Sequence, residues 1–137
     1  MISMDDHLIL IVDDQPDFLE IFSTKLKAAG YRVETASNGS DALVKAKELK
    51  PDLVLLDVEM PEMNGAEVLQ SLRDDPATKD TRVLFLTNLG HPGEETKAMN
   101  ERISKEIGAS GYLKKTDDLD NILMKIRMAL AQHLAGT

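Results

Sequence analysis

Cysteine is absent from the 137-residue chain. That excludes a disulfide scaffold, thiolate catalysis and zinc or iron–sulfur sites built on Cys. Positive charge is in deficit. Lys plus Arg number 16 against 24 Asp plus Glu, a net charge of −8. A chain this acidic is repelled by phosphate backbones, so nucleic acid is not an expected partner. Long apolar runs are also missing. The longest, Leu8–Val12 and residues 53–56, fall far short of the roughly 20 residues of a membrane helix. Residues 1–7 carry acids where the basic region of a secretory signal would lie. The expectation is a cytoplasmic protein with no membrane segment. No repeat, low-complexity tract or linker interrupts the chain, and His7, His91 and His133 show no ligand spacing.

What is present is a globular balance, 42% hydrophobic and 29% charged. The length suits one domain, 1–137 with a core over about 8–134, and leaves no room for an output domain. At this size a single core buries about two-thirds of the unfolded surface, so no covalent or metal staple is needed.

Two periodicities alternate along the chain. Leu8-Ile9-Leu10-Ile11-Val12 is continuously apolar, as in a strand buried on both faces. Pro16 then opens a helix with Phe18, Leu19, Phe22, Leu26 and Ala29 on one side, and Gly30 stops it. Residues 31–36 favour a strand. Asn38-Gly39-Ser40 signals a turn and cap before a helix bearing Ala42, Leu43, Ala46 and Leu49, which ends before Pro51. Residues 53–56 form a second fully apolar strand running into Asp57. Asn64-Gly65 turns into a helix with Val68, Leu69 and Leu72. Residues 83–86 are a third apolar strand. Residues 94–107 read as a weaker helix, with Met99, Ile103 and Ile107 in line, and Tyr112-Leu113 as a short strand. Asp117 or Asp118 caps a last helix striped by Leu119, Ile122, Leu123, Ile126 and Leu130. Met124, Met128 and Ala131 make a second apolar line, read first as width of the core face and second as a partner surface. Successive β–α units predict an α/β fold: a doubly wound, five-stranded parallel sheet covered by helices on both faces.

In such a sheet the ligand sits beyond the carboxyl ends of the strands. The residues just past each apolar run are Asp13 and Asp14, Asp57, Thr87 and Asn88, and Lys114 and Lys115. Carboxylates, a hydroxyl and an ammonium thus converge on one edge. Crowded carboxylates repel one another unless a cation compensates. Hard oxygen donors of this kind suit Mg2+ better than zinc.

These residues resemble a known family. Asp13-Asp14, then Asp57-Val-Glu-Met-Pro61-Glu-Met-Asn-Gly65, then Leu86-Thr87, then Gly108-Ala-Ser-Gly-Tyr112-Leu-Lys-Lys115 are similar to the receiver domain of two-component response regulators, of the stand-alone chemotaxis-regulator kind. The resemblance covers nearly the whole chain. It implies the flavodoxin-like strand order 2-1-3-4-5. It implies that Asp57 is the phospho-acceptor. Asp14, Asp13, Asp57 and the backbone carbonyl of Glu59 would hold Mg2+. Thr87 and Lys115 would meet the phosphoryl group, and Tyr112 would report the state of Thr87. The donor would be a sensor histidine kinase or a histidine phosphotransfer protein. The output would be a downstream protein target on the face made by the 94–107 helix, the Tyr112 strand and the last helix. Such a chain regulates rather than acts as an enzyme, although it assists its own phosphorylation and dephosphorylation.

The chain departs from the family pattern in places. Thr116 replaces the usual Pro after Lys115, Asn88 replaces a small residue, and residues 89–95 form a longer Gly- and Pro-rich stretch. Two rival functions are weaker. An Asp-nucleophile phosphohydrolase would need a second Asp two residues past Asp57, followed by Gly, where this chain has Glu59 and Met60. A receiver-like binding module that is not phosphorylated would lack an acid, the Thr or the Lys, and all are present.

Overall fold

The computed structural model describes residues 7–58, 60, 62–87 and 112–135. Five parallel strands form one sheet: β1 (Leu8–Val12), β2 (Arg32–Ala36), β3 (Leu53–Asp57), β4 (Val83–Thr87) and β5 (Tyr112–Lys114), in the order β2-β1-β3-β4-β5. The predicted doubly wound sheet is therefore the observed one. The described helices are α1 (Pro16–Ala28), α2 (Gly39–Leu49), α3 (Gly65–Asp74) and α4 (Leu119–Ala135). The helix expected over 94–107 lies outside the described residues. No helix among the described residues is long and apolar enough to cross a membrane.

The continuous apolar runs have the predicted cause. Every residue of β3 is buried, as are Ile9–Val12 of β1 and Val83–Leu86 of β4. Alternate side chains leave the sheet on opposite faces, so each central strand feeds two cores. Ile9, Ile11, Leu53, Leu55, Leu84 and Leu86 join α1 and α4 on one side. Leu10, Val12, Val54, Leu56, Val83 and Phe85 join α2 and α3 on the other. Each such side chain contributes about 1.5–3 kcal/mol when fully buried. The pairing of Ile11 with Leu55, and of Leu55 with Leu84, sets the strands in register and brings their carboxyl ends level.

Local chemistry sets the helix boundaries. Pro16 opens α1, where its missing N–H costs nothing. Gly30 closes it at φ 104°, and the Tyr31 N–H returns to the Leu26 carbonyl at 3.1 Å. That closing bond keeps Tyr31 out of β2, which starts one residue later than the apolar pattern predicts. The Asn38 side chain accepts from the Asp41 N–H at 2.8 Å and caps α2. At α4 the Asp117 carboxylate accepts from the Asp118 N–H at 2.8 Å and from the Asn121 amide at 3.4 Å. These bonds hold its carboxyl below the usual carboxylate range, the backbone N–H having the larger effect. Met124 and Met128 are 51% and 57% exposed, so that line faces solvent rather than widening the core.

α3 starts with a complete capping box. Asn64 accepts from the Glu67 N–H at 2.9 Å, and Glu67 accepts from the Asn64 N–H at 3.1 Å. Asn64→Ala removes the bond that the Asn64 side chain accepts, leaving the Glu67 N–H uncapped, and is expected to lower stability by about 1 kcal/mol, read as a shift in the urea midpoint with unchanged slope.

Candidate functional site

The ends of β1 and β3 each deliver an acid. The Asp13 N–H bonds to the Ala36 carbonyl at 3.1 Å, which extends the β1–β2 ladder past Val12. Its Oδ1 accepts from the Gln15 N–H at 2.8 Å. That local turn fixes the carboxylate and leaves Oδ2 for other groups. Asp57 closes β3 and pairs in register with Leu86. The next N–H, from Val58, bonds to the Leu86 carbonyl at 3.1 Å. Asp13 and Asp57 are both buried, whereas Asp14 keeps access to solvent.

Gly65 explains how α3 starts so near. Its N–H donates to the Val58 carbonyl at 3.0 Å. A Cβ there would stand 2.6 Å from the Asp57 carbonyl oxygen and 3.1 Å from Val58 Cα. Both are backbone atoms and cannot move aside cheaply, so the position requires glycine.

Lys115 arrives from β5. Its N–H bonds to the Thr87 carbonyl at 2.8 Å, which ties the lysine's root to the end of β4. Its ammonium lies 2.5 Å from Asp13 Oδ2 and 3.5 Å from Asp57 Oδ2. The side chain is only 6% exposed. It also lies over the Phe18 ring of α1, 4.8 Å from the centroid.

The charges do not balance. Carboxylate oxygens of Asp13, Asp14 and Asp57 lie within 4.8 Å of one another. A like-charge pair at that separation costs on the order of 3 kcal/mol at an effective dielectric constant near 20. Lys115 supplies one positive charge against these three negative ones, so the formal excess is two. Asp13 Oδ2 is buried and makes no hydrogen bond, and the ion pair with Lys115 is its described compensation. Hard carboxylate donors from Asp13, Asp14 and Asp57 and an excess matching a divalent ion fit Mg2+.

The sequence-predicted residues fall as follows. Asp13, Asp14 and Asp57 meet in one cluster, and Lys115 joins them. Lys115, rather than Lys114, makes these ion pairs. Thr87 is half-buried at the end of β4, paired in register with Lys114. Tyr112 heads β5 opposite Phe85. Glu59, Asn88 and residues 89–95 lie outside the described residues. The peptide bond from Lys115 to Thr116 is trans, since no described bond is cis. Sequence reasoning missed two contributors. Gln15 donates through its backbone, a role whose trace is the short Asp-x-Gln-Pro turn. Phe18 was legible as a core-facing residue of α1, with nothing to show that a lysine from β5 lies on it.

A parallel sheet that reverses its strand order between β1 and β3, with acids and a lysine at the carboxyl edge, defines the flavodoxin-like class of CheY-like signalling proteins. Within that class the chain belongs to the response regulator receiver domain family, which matches residues 9–127. Receiver domains of this family are the signalling modules of two-component phosphorelays. The chain is 37% identical over 122 residues to the DNA-binding dual master transcriptional regulator RpaA of Synechocystis, covering 89% of this chain and 48% of RpaA. It is 37% identical over 120 residues to the response regulator PleD of Caulobacter vibrioides, covering 88% of this chain and 25% of PleD. It thus spans about half or a quarter of the length of these relatives. Among solved structures, the chemotaxis protein CheY4 of Vibrio cholerae superposes with a TM-score of 0.79 at 32% identity, covering 90% of this chain and 98% of that one. A CheY-like receiver domain protein from Methanospirillum hungatei gives 0.84 at 26% identity, covering 97% of this chain and 100% of that one.

Removing one member of a buried ion pair strands the other. Lys115→Met is therefore expected to lose about 3–5 kcal/mol in urea unfolding at neutral pH without metal. Adding Asp13→Asn to that variant is expected to restore part of the loss, because the stranded charge is then gone.

Proposed function

We propose that the chain takes a phosphoryl group on Asp57 from the phosphohistidine of a sensor histidine kinase or histidine phosphotransfer protein, with Mg2+ bound at the acidic cluster. The observation that carries this reading is Lys115 bridging Asp13 and Asp57, at 2.5 and 3.5 Å, inside a cluster that still has an excess of negative charge.

A carboxylate oxygen of Asp57 forms the new bond to phosphorus. The phosphorus–nitrogen bond of the donor breaks, its electron pair stays on the imidazole, and the ring takes up a proton. The product is an acyl phosphate, which water returns to carboxylate and inorganic phosphate. Burial of Asp57 strips water from the nucleophile, and the solvent-facing side at Asp14 is the approach for the donor. Lys115 stands where it can pair with a phosphoryl oxygen, and the Thr87 hydroxyl, on the neighbouring strand, can donate to another. Asp13, Asp14, Asp57 and the carbonyl of Glu59 would hold Mg2+. That ion supplies positive charge against the phosphoryl oxygens when bound.

The consequence for signalling follows from connectivity. Lys115 is bonded through its backbone to Thr87, and Thr87 pairs with Lys114 two residues past Tyr112. A change at Asp57 thereby reaches β5 and α4. We assign the output to a protein target on the face made by β5 and α4, with Thr87 and Tyr112 as the switch pair; segment 94–107, expected from the sequence to complete that face, lies outside the described residues. The net charge of −8 supports a protein target over nucleic acid. The proposed phosphohistidine donor in turn supports a regulator in the cytoplasm.

Mass spectrometry after incubation with an acyl phosphate and Mg2+ tests the acceptor. One phosphate is expected on the wild type and none on Asp57→Asn; a label that survives the substitution rejects Asp57. Asp14→Ala is expected to lose most Mg2+ binding by titration calorimetry while keeping its fold. Unchanged affinity in that variant removes Asp14 from the metal site.

A further inference from the structure

Lys115 has a neighbour that carries no charge. Its ammonium lies 4.8 Å from the centroid of the Phe18 ring. That ring is not free to drift. It stacks on Phe22, with centroids 4.9 Å apart and an interplanar angle of 18°. Phe22 is buried in the core cluster formed by α1, the sheet and α4. Phe18 itself is half-buried and packs against the same cluster.

We propose that Phe18 is a positioning residue for Lys115, its ring face holding the ammonium beside Asp13 and Asp57 without occupying a carboxylate oxygen. The proposal rests on the reading of Asp57 as phospho-acceptor and names a group that serves the same site.

An ammonium on a side chain that is only 6% exposed has lost most of its water. The face of an aromatic ring carries partial negative charge and attracts a cation, more strongly as water is removed. The two carboxylates attract the same ammonium, but through oxygens the chemistry needs. An Asp57 oxygen must be given up to phosphorus, and Asp13 belongs to the proposed metal set. A lysine held by those oxygens alone would lose its anchors as they were recruited. The ring is not consumed when Asp57 becomes an acyl phosphate. It therefore holds the ammonium within reach of the phosphoryl oxygens both before and after transfer. Leucine at this position would fill apolar space equally well and give no such attraction.

Two readouts separate positioning from packing. The first is the NMR shift of the Lys115 side-chain methylene protons, without metal or phosphodonor. A ring below the chain end moves these signals upfield. The displacement is expected in the wild type, to persist in Phe18→Tyr, and to vanish in Phe18→Leu and Phe18→Met. The second is the rate of phosphorylation by an acyl phosphate with Mg2+. It is expected to fall about tenfold in the Leu and Met variants and to be largely kept in the Tyr variant. Wild-type Lys115 signals with no ring-induced displacement overturn the proposal. So does an unchanged rate in both ringless variants, or a Tyr variant as slow as they are. If the wild type takes no phosphate, the acceptor reading fails, and the NMR comparison alone decides whether Phe18 holds Lys115.

Discussion

The site is organised around one ammonium among carboxylates that repel one another. Lys115 is the described cation that touches both Asp13 and Asp57, and it does so almost out of contact with water. Burial makes each of these charges expensive alone and binds them strongly together. Their arrangement is thus a constraint on the fold as well as a chemical device. β1, β3 and β5 must end at the same level, because the groups they carry cannot be left apart in a dry interior.

The sheet meets that constraint with ordinary materials. Continuous apolar runs in β1, β3 and β4 bury both faces and fix the registers, and those registers set where each strand stops. The excess negative charge is tolerated because the stability comes from elsewhere, chiefly from the Leu, Ile and Val side chains of the two cores. Crowded charge works against stability locally, at the strand ends, while the helices and sheet hold the ends in place.

Much of this is legible in the sequence. Strands buried on both faces announce themselves as unbroken apolar runs, and the residue after each run lies at the carboxyl edge of the sheet. That reasoning reached Asp13, Asp14, Asp57, Thr87 and Lys115. It stops where a contact joins elements distant in the chain. The periodicity of α1 shows that Phe18 faces inward, but not that the end of β5 brings a lysine across it. Asn64-Gly65 reads as a turn, while the actual requirement at Gly65 is space beside the Asp57 carbonyl. The outward Met124 and Met128 follow from helical geometry, since each lies two residues past a core position, Ile122 and Ile126, and so points away from it. Reading them as core width gave too much weight to composition. The closing bond at Tyr31 depends on a left-handed glycine, and strand propensity does not register it.

The tight seat of Gly65 has a directional consequence. The Asp57 carbonyl leaves no room for a side chain on the first residue of α3, so the backbone behind the acid is closely packed on that side. It behaves as an anvil. A substituent on the carboxylate would find no slack on that side.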